Sequence, residues 1–142
     1  HFGQDFATVP GAGAAGGIGA GAMAFLNARL QPGIKTVMEL TNFRAALRNV
    51  VLILTGEGKI DRQTLHGKLI SGVVKHAGNI PVIALCGTLQ ATPPDIKQLG
   101  LQAAFSILNR PMLLPEALSE TATLLEQTAQ QVVQTWLPAS IS

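Results

Sequence analysis

Residues 50–68 read VVLILTGEGKIDRQTLHGK, and this stretch decides the fold. Val50 to Thr55 is an unbroken β-branched and aliphatic run, the pattern of a strand buried on both faces of a parallel sheet. From Thr64 to Ala77 the apolar residues Leu65, Leu69 with Ile70, Val73 and Val74 recur at helical spacing, and Gly78 stops them. Between strand and helix lie two glycines and a dense group of charges. A strand that feeds a helix through a short loop is half of a β-α-β crossover, and crossovers build parallel sheets.

The same alternation extends in both directions. Ile34–Met38 is a short strand candidate, followed by a helix starting at a cap on Thr41 or Asn42. PVIALCG (81–87) and AAFSIL (103–108) are two further apolar strands, with TPPDIKQLG between them as a proline-led helix closed by Gly100. Pro115 to Trp136 forms an amphipathic helix with Leu118, Ala122, Leu125, Ala129, Val132 and Val133 on one face. Four strands alternating with four helices predict an α/β fold. It is an open, mostly parallel sheet with helices on both faces, Rossmann-like or flavodoxin-like, in a single region over 1–142 with no internal boundary.

Composition narrows the function classes. The 142 residues are 47% hydrophobic and only 13% charged, with a mean hydropathy of +0.34, so the chain is folded rather than disordered. No apolar run approaches the ~20 residues of a membrane span. A net charge of +2 without a basic cluster offers nucleic acid no footprint. The one cysteine, Cys86, sits inside an apolar run and reads as a core residue; with no disulfide to form, it suits a cytoplasmic setting. The chain opens without an initiator methionine, so a piece of something longer is one expectation.

In open parallel sheets ligands bind where the carboxyl ends of the strands converge, and TGEGKIDRQT stands at such an end. Gly56 and Gly58 permit close backbone approach, Glu57 and Asp61 supply carboxylates, and Lys59, Arg62 and Lys68 supply cations. Those groups at a helix start are what phosphoryl transfer needs: cations for charged oxygens, and carboxylates to hold Mg²⁺ or accept a hydroxyl proton. The plainer alternative is a turn with solvated charges and an N-cap at Thr64. A Walker A loop is excluded by counting, since Leu69 follows Lys68 and Arg62 stands five before Gly67. His66 and His76 are too far apart to chelate zinc as a local pair.

The second unusual stretch is VPGAGAAGGIGAGAMAFL, 9–26, with a literal G-x-G-x-x-G at Gly11, Gly13 and Gly16. No strand precedes it, which argues against a dinucleotide site. If the segment is helical from Ala14, Gly16, Gly17, Gly19 and Gly21 cost on the order of 3 to 4 kcal/mol relative to alanine. Either another element packs against the bare backbone, or backbone N–H groups face an anion.

Together with PVIALCG and AAFSILNRPMLLPEAL, these two stretches in this order resemble the carboxyl-terminal part of the bacterial-type glycerate kinase family. The GEG[KR]xDxQTxxGK block is the specific part. The resemblance implies a larger two-domain enzyme that transfers the γ-phosphate of ATP to a hydroxyl of glycerate with Mg²⁺, in a cleft between domains. It implies glycerate and ATP as substrates, a missing amino-terminal part of the same chain as partner, and possible self-association of the portion alone. Carried over by position, it marks Gly11, Gly13, Gly16 and Gly17, with Gly56, Glu57, Gly58, Lys59, Asp61, Thr64, His66, Gly67 and Lys68. Asp61 and Glu57 are then the catalytic or Mg²⁺-binding carboxylates, and the remaining positions bind substrate or phosphate. Lys59 stands where arginine is more usual, keeping the charge without the bidentate fork. The alternatives are a noncatalytic regulatory or oligomerising α/β module and a dinucleotide-dependent enzyme.

Overall fold

The computed structural model describes residues 5–6, 8–66 and 68–136. They fall into two compact units, His1–Thr41 and Asn42–Ser142.

The first unit holds α1 (Ala14–Leu26) and α2 (Gly33–Leu40). Within α1, Ala15, Gly16 and Gly17 take left-handed conformations, with φ of 51°, 69° and 96°. The expected penalty for glycine inside a helix therefore does not arise at Gly16 and Gly17, which supply a turn that other residues resist. Gly19 does lie in regular helix. A Cβ there would sit 2.6 Å from the Gly11 carbonyl oxygen, and the Ala20 N–H donates to the Ala12 carbonyl at 2.9 Å. At Gly19, bare backbone packs on bare backbone.

Helix α2 corrects the strand expected at Ile34–Met38. Pro32 stands at its N-cap and Lys35 and Glu39 lie 3.9 Å apart at i,i+4. Ile34 and Met38 share one face at that same spacing, and Met38 is buried. Five apolar-rich residues carry no decisive period.

The second unit runs α3 (Phe43–Ala46), β1 (Ile53–Ile60), a 3-10 helix (Arg62–His66), α4 (Lys68–Ala77), β2 (Val82–Leu89), α5 (Pro93–Gln98), β3 (Ala103–Ser106), α6 (Leu114–Ser119) and α7 (Thr121–Trp136). Its three strands form one parallel sheet in the order β1-β2-β3, three rather than the expected four because Ile34–Met38 is helical. The α/β class with an open parallel sheet stands.

Several boundaries differ from expectation: α4 begins at Lys68 behind the 3-10 helix rather than at Thr64, and β3 ends at Ser106. β1 begins and ends later than Val50–Thr55, because its partner β2 continues to Leu89: Ile53 aligns with Val82, Glu57 with Cys86 and Lys59 with Thr88. Gly56, Glu57, Gly58 and Lys59 thus lie in the strand and not in a loop after it. The long carboxyl-terminal helix is two, α6 and α7, divided at Glu120. Its buried residues are Leu124 and Val132, whereas Leu118 and Leu125 from the expected face are exposed.

The core lies on both sides of β2. On one side Ile83 and Leu85 pack with Ile107 and with Leu124 and Val132 of α7. Val82, Ala84 and Cys86, which alternate with them, are buried too, as are Ile70, Val73 and Ala77 of α4. Cys86 is a core residue as expected, only 2% exposed, and burial pushes its thiol pKa up. α4 ends at Gly78 (φ 62°) and α5 is followed by Gly100 (φ 76°), both as the sequence predicts. Among the described residues no helix is long and apolar enough to cross a membrane.

Candidate functional site

Local sequence chemistry builds the turn after β1. The Asp61 carboxylate accepts from the backbone N–H of Gln63 at 2.8 Å and of Thr64 at 3.3 Å, capping the 3-10 helix. The Asp61 N–H in return donates to Thr64 Oγ1 at 3.1 Å, and Thr64 is buried. Lys59 Nζ lies 2.9 Å from the other carboxylate oxygen. The Lys59 hydrogen bond, joined by those backbone donors and the ammonium charge, holds the Asp61 carboxyl below the usual carboxylate range.

The turn after β2 lies alongside. Gln90 and Ala91 donate their N–H groups to the Ile60 carbonyl at 2.8 and 3.2 Å, which ties the two strand ends together. At the start of α5 the Asp95 carboxylate accepts from the Thr92 hydroxyl at 2.6 Å and the Thr92 N–H at 2.8 Å, with Arg62 Nε at 3.9 Å. The Thr92 hydroxyl bond first, then its N–H, lowers the Asp95 pKa, and Arg62 adds to this. After β3, the Ser106 hydroxyl donates to the Gly87 carbonyl at 3.1 Å and accepts from the Leu108 N–H at 3.2 Å. Backbone bonds thus tie the end of β1 to the turn after β2, and the Ser106 hydroxyl ties β3 to β2. Sequence reasoning missed Asp95, Thr92 and Ser106; the TPPD start of α5 was the available signal for the first two.

Beside these turns is a cavity of about 460 Å³ whose floor includes Gly56, Glu57, Gly58 and Gly87, walled by leucines such as Leu114 and Leu118. Glu57 has no hydrogen-bond or ion-pair partner among the described residues, which leaves its carboxylate available. The charged stretch runs to the carboxyl end of β1 and into the turn after it.

The structure thus brings together Gly56, Glu57, Gly58, Lys59, Asp61 and Thr64. His66 closes the 3-10 helix and Lys68 opens α4, while Gly67 lies outside the described residues. Gly11, Gly13, Gly16 and Gly17 belong to the other unit. Among the described residues no group of three or more His, Cys, Asp or Glu converges as a metal cage. Mg²⁺ commonly binds through only one or two carboxylates beside substrate phosphates, a smaller requirement than such a cage.

Ligands of open parallel sheets bind at the carboxyl ends of the strands, where this charged turn stands, and comparison with known proteins is more specific. The model of the glycerate kinase family matches residues 1–137. The chain belongs to this family. It is 45% identical over 140 residues to a glycerate kinase of Halalkalibacterium halodurans, covering 96% of this chain and 37% of that protein. With the glycerate 2-kinase of Escherichia coli it shares 44% over 115 residues, 80% of this chain and 30% of the relative. A solved structure assigned as glycerate kinase 2 from Salmonella typhimurium LT2 superposes with a TM-score of 0.66 at 40% identity, over 89% of this chain and 32% of the other. The chain therefore spans about a third of the length of the curated relatives it matches.

Proposed function

We propose that this chain is the carboxyl-terminal portion of a cytoplasmic, ATP-dependent glycerate kinase and forms one wall of its cleft. The observation that carries the reading is the Lys59–Asp61 pair, fixed at the carboxyl end of a parallel strand next to the unpartnered Glu57. Phosphoryl transfer depends on positioning and on charge stabilisation, so a pre-set acid and ammonium at a strand end are suited to it. Glu57 accepts the proton of the attacking glycerate hydroxyl or holds the metal. Lys59 neutralises phosphate or the glycerate carboxylate. Asp61 orients Lys59 and stiffens the turn, and its carboxylate serves the metal with Glu57. Mg²⁺, when bound, would be held by Glu57 and Asp61 and would offset the charge of the transferring phosphate. Gly56, Gly58 and Thr64 shape the same wall, with His66, Gly67 and Lys68 as further proposed phosphate contacts; Gly11, Gly13, Gly16 and Gly17 are proposed substrate contacts of the first unit by itself.

The test grafts this chain in place of the matching third of the Halalkalibacterium halodurans kinase and measures glycerate-dependent ADP formation. The chimera is expected to turn over, the chain alone is not, and Glu57→Gln should lower chimera turnover by ~10² to 10⁴. Turnover of the chain alone within about tenfold of the chimera would end the one-wall reading.

A further inference from the structure

We propose that the leucine-walled cavity over Gly56 and Gly58 takes the uncharged nucleoside end of ATP, and that Arg110 is the positioning residue that holds its wall, α6, in place. The inference rests on the kinase reading above and adds which end of a substrate the cavity admits and what sets its shape.

Charge supplies the first argument. Both substrates of the proposed reaction are anions, and anions are held best by charge-assisted donors. Among the described residues no lysine, arginine or histidine lines the cavity, and its one charged group is the Glu57 carboxylate. Triphosphate and glycerate are poorly served there, and Lys59 beside Asp61 offers them a better place. The nucleoside is the largest uncharged portion of either substrate. At about 460 Å³ the cavity falls within the range of small-molecule sites.

The floor suits a flat ring. Gly56 is paired with Leu85, and a Cβ on Gly87 would meet the Gly58 carbonyl oxygen, so bare backbone of two adjoining strands forms the surface. At Gly58 a Cβ would meet nothing within 4 Å and the φ is not left-handed, so nothing inside this unit demands glycine. A ring seated against the backbone does demand it. Leu114 and Leu118 in the wall are 71% and 66% exposed, an apolar surface that a base covers. Cys86 already bonds the Phe105 carbonyl and Thr121 donates to Ala117. The Thr88 hydroxyl in the same lining has no partner among the described residues and is left to meet a ring nitrogen.

The wall needs a brace. Helix α6 has six residues, none buried, and no side-chain cap at its start, too little to stand by itself. Leu114 and Leu118 share one side of the turn at i,i+4, and Glu116 and Glu120, at the same spacing, share the other. Arg110 Nη2 lies 2.9 Å from Glu116 Oε1 and 2.9 Å from Glu120 Oε1. A lone exposed ion pair contributes little, whereas one guanidinium shared by two carboxylates a turn apart fixes an orientation. Met112, between Arg110 and α6, packs on the core cluster, so the guanidinium ties α6 to an anchored segment. Held from behind, α6 turns its leucines over the glycine floor. Without the brace the wall moves while Lys59 and Asp61 stay as they are.

Calorimetry on the chimera tests this with three probes: adenosine, which carries no phosphate, tripolyphosphate with Mg²⁺, and ATP with Mg²⁺. Adenosine should bind, and Arg110→Gln should weaken adenosine and ATP at least ~10-fold while tripolyphosphate stays within about twofold. Leu118→Asp, which sets a charge in the wall, should give the same split. Arg110→Lys should recover most of the loss, because the contacts to both glutamates converge on one nitrogen. In turnover, Arg110→Gln should raise KM for ATP and not KM for glycerate. Failure of the chimera to bind adenosine, or equal losses for adenosine and tripolyphosphate, would overturn the proposal even if the chimera phosphorylates glycerate. The expected split in a chimera that does not turn over would uphold it and count against the kinase roles of Glu57 and Lys59 instead.

Discussion

Gly58 and Gly87 are neighbours across β1 and β2, and alanine at each should have opposite consequences. At Gly87 an added Cβ would lie 2.9 Å from the Gly58 carbonyl oxygen, closer than Cβ atoms are found to any neighbour. Both partners are backbone of paired strands, so no side chain can swing away. The strands must part by a few tenths of an ångström between the Glu57–Cys86 and Lys59–Thr88 pairs. Overpacking of this kind costs about 1 to 3 kcal/mol. In a unit of roughly 100 residues that is a fall in melting temperature of about 5 to 15 °C. At Gly58 the Cβ enters open space, so Gly58→Ala should leave stability within about 0.5 kcal/mol of the parent or raise it, because glycine inside a strand is costly in entropy. Urea unfolding followed by far-UV circular dichroism measures both, with unchanged m-values as the check that only stability moved. A Gly87→Ala loss below 0.5 kcal/mol, or equal losses at the two positions, would refute the close-approach reasoning.

Gly100→Ala combines a left-handed φ of 76° with a Cβ 2.7 Å from Val74 Cγ1, and should cost about 2 to 4 kcal/mol by thermal melting. Adding Val74→Ala should recover the contact part and leave the backbone part. Asp95 has its pKa lowered in the folded state, so its contribution is present above the ordinary carboxylate range and is lost as pH falls through the depressed value. Asp95→Asn should therefore flatten the stability profile between about pH 5 and pH 2, read as urea midpoints against pH; an unchanged slope would remove Asp95 from the acid limb. In the chimera, Asp61→Asn keeps an acceptor for the Gln63 and Thr64 N–H groups while removing the charge, and turnover should fall by ~10² to 10⁴; near-parental turnover at saturating Mg²⁺ would reduce Asp61 to a cap.

Much of this was determined by the sequence alone, wherever the signal is local. The apolar runs at 81–87 and 103–108 marked two strands, Gly78 and Gly100 ended helices because left-handed backbone favours glycine, and the GEGKID block carried the family resemblance. Signals that depend on a distant partner were decided by the tertiary structure. Whether Glu57 and Lys59 lie in a strand or a loop was set by β2, which extends pairing to Ile60. Ile34–Met38 matched a strand in composition and became a helix, since a five-residue run carries no period strong enough to oppose a proline start and an i,i+4 pair. The inward face of α7 was fixed by contact with Ile83 and Leu85, which no periodicity within the helix could specify. Asp61 became a cap as well as a carboxylate because backbone N–H groups, invisible in a string of side chains, had to find an acceptor where β1 turns into the 3-10 helix.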